Sequence, residues 1–300
     1  MKIKKEITND LITLIGGAII VYLLPAIFNS TFMVYMLQRI GLMYIVAMGL
    51  NIVVGYIGEV SLGHAGFYAI GAYFCGLLTT KAGLPFGMSL LVGAAIAALS
   101  GSLVAILSLR VKGPYMAMMS IAFGQAVYYV ANSWVSVTGG PAGIYDISRP
   151  MWLGKEMTRV QYFYLIGAIV VVLQVLVNNL LKHKWGRTLN ALSGSEVAAK
   201  TVGINVIYYK TIAFAISAAF AGIAGALFSH QSGYLNSDSF VFDVSVQFIV
   251  AVLLGGAGTT LGPFVGSVIL VFLSHFTAKA VDYRLIIYGG LLLYTVLIIP

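Results

Sequence analysis

The sequence predicts an all-α polytopic membrane protein of about ten transmembrane helices, some of them broken or re-entrant. Three observations carry that prediction. Hydrophobic residues make up 60% of the 300-residue chain and charged residues only 9%, against about 25% charged in a soluble domain, and mean hydropathy is +0.97. A surface with so few charges is built to meet lipid. Apolar runs of membrane length recur through the chain, and the lysines and arginines fall in the breaks between them, on alternate sides.

The first run, 11–28, follows a basic start containing Lys2, Lys4 and Lys5. It exceeds the roughly 7–15 residues of a signal-peptide core and no A-x-A site follows it, so it reads as a retained membrane helix. The later runs are 38–56, 62–80, 85–109, 114–135, 160–181, 211–230, 242–258, 261–278 and 284–300. Glycine and proline at Gly113–Pro114 and between Gly258 and Pro263 make the runs 114–135, 242–258 and 261–278 candidates for broken or re-entrant helices.

Loop charge supports the count. The positive-inside rule places the N-terminus, Arg110 with Lys112, and Lys182, Lys184, Arg187, Lys200 and Lys210 in the cytoplasm. The longest opposite loop, 136–158, balances Asp146 and Glu156 against Arg149 and Lys155, and Asp238 and Asp243 fall outside with it. The net charge of +8 is therefore a topological signal rather than a nucleic-acid face. Residues 1–300 read as a single membrane domain whose largest polar break is the cytoplasmic stretch 182–210.

Glycine, at 34 residues, is patterned. Gly258, Gly262 and Gly266, and likewise Ala218, Gly222 and Ala226, recur at every fourth position, the spacing that lets helix backbones approach closely in lipid. Tight packing is the main reading and a conduit the lesser one. Gly58-Glu-Val-Ser-Leu-Gly63 also echoes Gly258-Thr-Thr-Leu-Gly262 with one residue deleted, a faint sign of the internal repeats found in transporters.

Within 182–210, Ser193-Gly-Ser-Glu196 matches the capping-box pattern, which predicts Ser193 as the N-cap of a short helix running through Val202, with Gly203 ending it in a left-handed cap. Glu196 and Lys200 stand four apart in the favourable order. Ala198 and Ala199 keep the helix thin enough to act as a docking peg. The simpler reading of the same spacing is an ordinary loop helix on the membrane surface.

Ionisable or polar residues within spans are costly, and those within spans or in the turn between the second and third mark candidates for a translocation path: Asn51, Glu59, Ser61, His64, Gln125 and Asn132. Each has a plainer reading. Glu59 suits a solvated turn, His64 a hydrogen-bonded packing residue, and the amides bonds between neighbouring helices. Arg39, near the outer end of its span, reads as a snorkelling topology residue. No H-E-x-x-H or G-x-S-x-G motif is present, and the four histidines, His64, His183, His230 and His275, are far apart, so neither a metal site nor a cofactor is expected and the chain is not read as an enzyme. The single cysteine, Cys75, excludes an intrachain disulfide. Acid pairs are missing from the spans, which argues against ion-coupled transport. With no phosphate-binding loop of the G-x-x-x-x-G-K-[ST] type, the energy for uphill transport would come from a separate subunit.

Gly49-Leu-Asn-Ile-Val-Val-Gly55 followed by Ser61-Leu-Gly-His-Ala-Gly-Phe-Tyr-Ala-Ile-Gly-Ala-Tyr73 resembles the second and third spans of permease subunits of branched-chain amino-acid ABC importers, the M-type subunit more than the H-type. Gly113-Pro-Tyr-Met-Ala-Met, Thr138-Gly-Gly-Pro-Ala-Gly-Ile144, Glu196-Val-Ala-Ala-Lys-Thr-Val-Gly-Ile204 and Leu254-Gly-Gly-Ala-Gly-Thr-Thr-Leu-Gly-Pro263 are similar to further blocks of that family, in order. The resemblance implies a multi-pass subunit of a bacterial or archaeal cell membrane. Its implied partners are a homologous second permease, two cytoplasmic ATP-binding subunits and an extracytoplasmic substrate-binding protein. It also implies that Ser193, Glu196, Ala198, Ala199, Lys200 and Gly203 belong to an EAA-type loop that couples to the ATPases. Val197 departs from the pattern where its first alanine is expected, and Glu59 stands where relatives often have glutamine. Relatives usually continue past the position of Pro300 into a short basic tail. A urea or short-amide permease of the same family is the alternative substrate reading, and an ATP-independent carrier or an intramembrane enzyme lie further off.

Overall fold

In the computed structural model the described residues are 16–17, 19, 21–25, 30–108, 114–152, 154–277, 286–291 and 293. They form an all-α protein with one small hairpin. Helix α1 (Thr31–Val54) starts seven residues before the predicted span, because Ser30 caps it by accepting from the amide of Met33 at 3.2 Å. It is followed by α2 (His64–Thr80), α3 (Phe86–Ser108), α4 (Pro114–Ser133) and the single turn α5 (Val135–Thr138). The hairpin pairs β1 (Met151–Trp152) with β2 (Lys155–Glu156) in antiparallel register. Next come α6 (Arg159–Lys182), α7 (Lys184–Gly194), α8 (Glu196–Thr201) and α9 (Val206–Ser232). A 3-10 turn (Ser237–Phe240) leads into α10 (Phe242–Gly255), and α11 (Gly262–Phe276) follows.

Five of these helical stretches, α1, α3, α6, α9 and residues 237–255, are long and apolar enough to cross a membrane. Helix α11 is apolar but shorter, at 15 residues. The first and last predicted spans, 11–28 and 284–300, lie largely outside the described residues, as does the predicted break at Gly113. What is described of them is helical. The first packs on α6, where Tyr22 stacks against Tyr164 at 6.3 Å.

Helix α9 is the centre of the fold, packed against α1, α2 and α3. A Cβ on Gly222 would lie 2.6 Å from that of Ala97 on α3, and one on Gly225 would lie 1.9 Å from the carbonyl oxygen of Tyr68 on α2. Helices that gain little hydrophobically by leaving lipid gain instead from this close backbone contact. The repeating small residues therefore serve packing, as expected, with one exception. Gly262 and Gly266 face α10, but Gly258 lies in the connecting loop with φ +77°.

Helices α1 and α9, about 36 and about 40 Å long at 1.5 Å per residue, run in opposite directions through the molecule. The C-terminal end of α1, the end of α3 and the starts of α4 and α9 meet at one pole, where they line a shared cavity. The start of α1, the end of α9, the start of α10 and the end of α11 meet at the other. The loop 136–158 sits on this second pole, where Ile144 bridges to Leu235 and the amide of Ile147 donates to the carbonyl of Gly233 at 3.1 Å.

Candidate functional site

At the first pole the chain turns sharply at Gly58, whose φ of +80° is one that glycine adopts freely, and delivers Glu59 beneath the start of α9. Lys210, 7% exposed on the first turns of α9, donates to both Glu59 and Glu196. One buried ammonium thus joins three segments: the neighbouring α8 and α9, and the α1–α2 turn, whose Glu59 lies 151 residues earlier in the sequence. Burial pushes the Glu59 carboxyl above its usual range; Lys210 opposes that shift and the nearby Glu196 carboxylate adds to it. The second oxygen of Glu59 has no hydrogen-bond partner among the described residues. These residues border a cavity of about 680 Å³ that also involves Ser108, Ala117, Ser193 and Lys200.

The short helix forms where the sequence predicts it, but its cap differs. Ser193 lies inside α7 and donates to the carbonyl of Asn190 at 3.0 Å. The N-cap is Ser195, which accepts from the amide of Ala198 at 3.2 Å. Glu196 therefore occupies the first helical position, and its carboxylate, too early to reach back along the capping box, turns to Lys210 rather than to Lys200. The C-terminal end is as expected. Gly203 has φ +83°, its amide donates to Lys200, and the amide of Ile204 donates to Ala199 at 3.0 Å, the two bonds of a Schellman motif.

The two alanines face opposite ways. Ala199 is buried. Ala198 is exposed, between Val197 and Val202, which are 74% and 76% exposed. Helix α8 thus fastens to its own protein through Glu196 and Ala199, and presents a small apolar surface outward. Helix α7 beneath it is amphipathic, with Leu189 and Leu192 inward and Lys184 and Arg187 outward.

The path candidates do not form one cluster. Ser61 and His64 are fully buried, with His64 Nδ1 3.1 Å from Ser61 Oγ and Nε2 2.7 Å from Ser217 Oγ. Asn51 is a clamp: its Nδ2 donates to the carbonyl of Thr259 and its Oδ1 accepts from the amide of Gly258, both at 2.8 Å. The last turn of α1 is thereby tied to the α10–α11 connection, which carries the second of the echoed glycine segments. Asn132 accepts from Ser237 Oγ at 2.9 Å. Gln125 is half-buried on α4 and makes no side-chain hydrogen bond among the described residues. Among the described residues no group of three or more histidine, cysteine, aspartate or glutamate side chains is placed to hold a metal.

Sequence reasoning missed Lys210 and Ser217 as partners. The available signal was a lone acid in a glycine turn and a lone lysine opening an apolar run, each needing a counter-charge.

The family described as branched-chain amino acid transport system / permease component matches residues 32–297. The chain is 35% identical over 272 residues to the Escherichia coli K12 high-affinity branched-chain amino acid transport system permease protein LivM, covering 83% of this chain and 64% of that protein. It is 24% identical over 260 residues to the probable branched-chain amino acid transport permease protein LivM of Methanocaldococcus jannaschii, covering 75% of each. It is 26% identical over 189 residues to the autoinducer 2 import system permease protein LsrC of Salmonella typhi, covering 61% of this chain and 51% of that one. The chain thus spans about two thirds of the length of its E. coli relative. With nearly all of its length inside the family match, the chain belongs to the permease components of branched-chain amino acid transport systems.

Proposed function

We propose that this chain is the membrane subunit of an ATP-driven importer that moves branched-chain amino acids into the cell. It crosses the membrane about ten times with its N-terminus in the cytoplasm. It pairs with a homologous permease, receives substrate from an extracytoplasmic binding protein, and is driven by two separate ATPase subunits that grip α8. The observation that carries this reading is the two-sidedness of α8. Ala198, Val197 and Val202 offer a thin apolar surface outward, while Glu196 ties the same helix through Lys210 to α9 and to the α1–α2 turn. A push on α8 is thereby delivered to two membrane helices at once. Ser193 and Lys200 border the adjoining cavity, and Gly203 holds the end of α8. In this reading Ser61, His64, Gln125 and Asn132 lie along or beside the route between the poles.

The test is Ala198→Arg. A bulky cation on the outward face should reduce copurification of the ATPase subunits by about tenfold or more, the scale of a lost interface anchor, while membrane insertion stays intact. Unchanged copurification sinks the docking role. Uptake of labelled leucine against labelled urea, in cells lacking the chain and complemented with it, separates the two substrate readings.

A further inference from the structure

We propose that the cavity at the second pole is a binding site for a zwitterionic α-amino acid with an apolar side chain. The substrate class rests on the importer reading above; the placement rests on the cavity itself. Its volume is about 390 Å³, within the range of about 300–1,000 Å³ typical of small-ligand sites. It lies between α1, α9, α10 and α11, at the opposite end of α1 and α9 from Lys210.

Both signs of charge line this cavity without neutralising each other. Arg39 comes from α1, Asp238 from the 3-10 turn and Asp243 from the first turn of α10, and none of them forms an ion pair among the described residues. Asp238 accepts from Tyr128 at 3.3 Å, which leaves Asp243 as the carboxylate without a partner among the described residues. Among the described residues, an exposed guanidinium and a half-buried carboxylate, neither in an ion pair, share this cavity, the complement of a carboxylate and an ammonium borne on one molecule. Gln231 lines the same space. Its amide nitrogen donates to Gln38 at 3.2 Å, while its carbonyl oxygen is buried with no hydrogen-bond partner among the described residues, a second acceptor for an ammonium group.

The remaining wall selects the side chain. Leu42, Phe228, Val244 and Phe248 supply an aliphatic and aromatic surface suited to an apolar side chain, while Ser239, Gln247, Ser274 and His275 add polar groups to the rest of the wall. Arg39 read as a topology anchor accounts for none of this arrangement.

The experiment uses the full chain in lipid nanodiscs and equilibrium binding of radiolabelled leucine. Unlabelled leucine should displace the label, whereas 4-methylpentanoate, without the ammonium group, and 3-methylbutylamine, without the carboxylate, should not. Arg39→Gln and Asp243→Asn should each weaken binding by about 10- to 100-fold, the value of a hydrogen bond to a charged group, and Asp238→Asn by less. No saturable binding, equal displacement by either analogue, or variants of unchanged affinity overturn the assignment. If a variant misfolds, displacement on the unaltered chain decides. Copurification of the ATPase from the same cells separates the two failures: its presence without leucine binding rejects the pocket alone, and its absence rejects the importer reading.

Discussion

Replacing Lys210 with methionine tests whether the three-way charge contact holds the first pole together. Methionine keeps the apolar stem and removes the ammonium. Lys210 is buried, and the side chains of its partners Glu59 and Glu196 are 18% and 43% exposed. The Glu196 contact is half-solvated, and its loss should cost below about 1 kcal/mol. Glu59 is different: among the described residues one oxygen is already without a partner, and losing Lys210 leaves a buried carboxylate uncompensated, for which about 3–5 kcal/mol is typical. The lower end applies because the site borders an open cavity, so Lys210→Met should destabilise the protein by about 3 kcal/mol near neutral pH.

The carboxyl of Glu59 supplies the control. Glu59→Gln alone should be close to neutral, since Lys210 retains Glu196. Combined with Lys210→Met it should recover about 2 kcal/mol, a coupling expected only between groups in direct contact. The pH dependence has a definite sign. Burial raises the folded-state pKa of Glu59 above its unfolded value, and removing Lys210 raises it further. The fold then binds the proton more tightly than the unfolded chain does. The deficit of Lys210→Met is therefore full above the raised pKa and shrinks as pH falls through it toward the unfolded value. Unfolding titrations in mixed detergent micelles at about pH 7.5 and about pH 5 would measure this. A single variant within about 0.5 kcal/mol of the parent, or a double variant no better than Lys210→Met, would refute the electrostatic account.

Other consequences follow from particular contacts. Gly266→Ala would place a Cβ 1.8 Å from the carbonyl oxygen of Ala251, forcing α10 and α11 apart at a cost of about 1–3 kcal/mol. Gly87→Ala, with open space around the position, should leave the detergent melting midpoint unchanged. Asn51→Leu strips partners from the amide of Gly258 and the carbonyl of Thr259, costing about 1–3 kcal/mol, and should speed proteolysis within 256–261 selectively, which limited digestion would detect.

Much of this was readable beforehand, and the limits have physical causes. Apolar runs announced nearly every long helix, because lipid rewards composition over a whole segment. Helix α1 begins earlier than the run 38–56 suggests: Thr31–Leu37 is itself apolar and continues the helix, and the cap that begins it is a single serine. The capping residue was misassigned because Ser193 and Ser195 both satisfy the local pattern. Only the continuation of α7 through Gly194 excludes the first. Glu196 was expected to pair with Lys200 on spacing grounds, but a buried cation brought from α9 competes better than an exposed one on the same short helix. The opposite orientations of Ala198 and Ala199, and the assembly of Arg39 with Asp243, depend on packing across the chain and leave no local trace.

Helix α9 is held at its waist, where Gly222 and Gly225 touch neighbouring backbones. One tip carries Lys210, and the other carries Phe228 and Gln231 in the wall of the second cavity. A stiff rod pinned near its midpoint behaves as a seesaw: drawing one tip inward sends the other outward. Traction on α8 would then open or shut the far cavity with no relay of intermediate side chains. Paired spin labels at Ile207 and Ser232 should move in opposite senses relative to α3 when the proposed ATPase subunits turn over, and a bend at the waist would show instead as independent motion of the two tips.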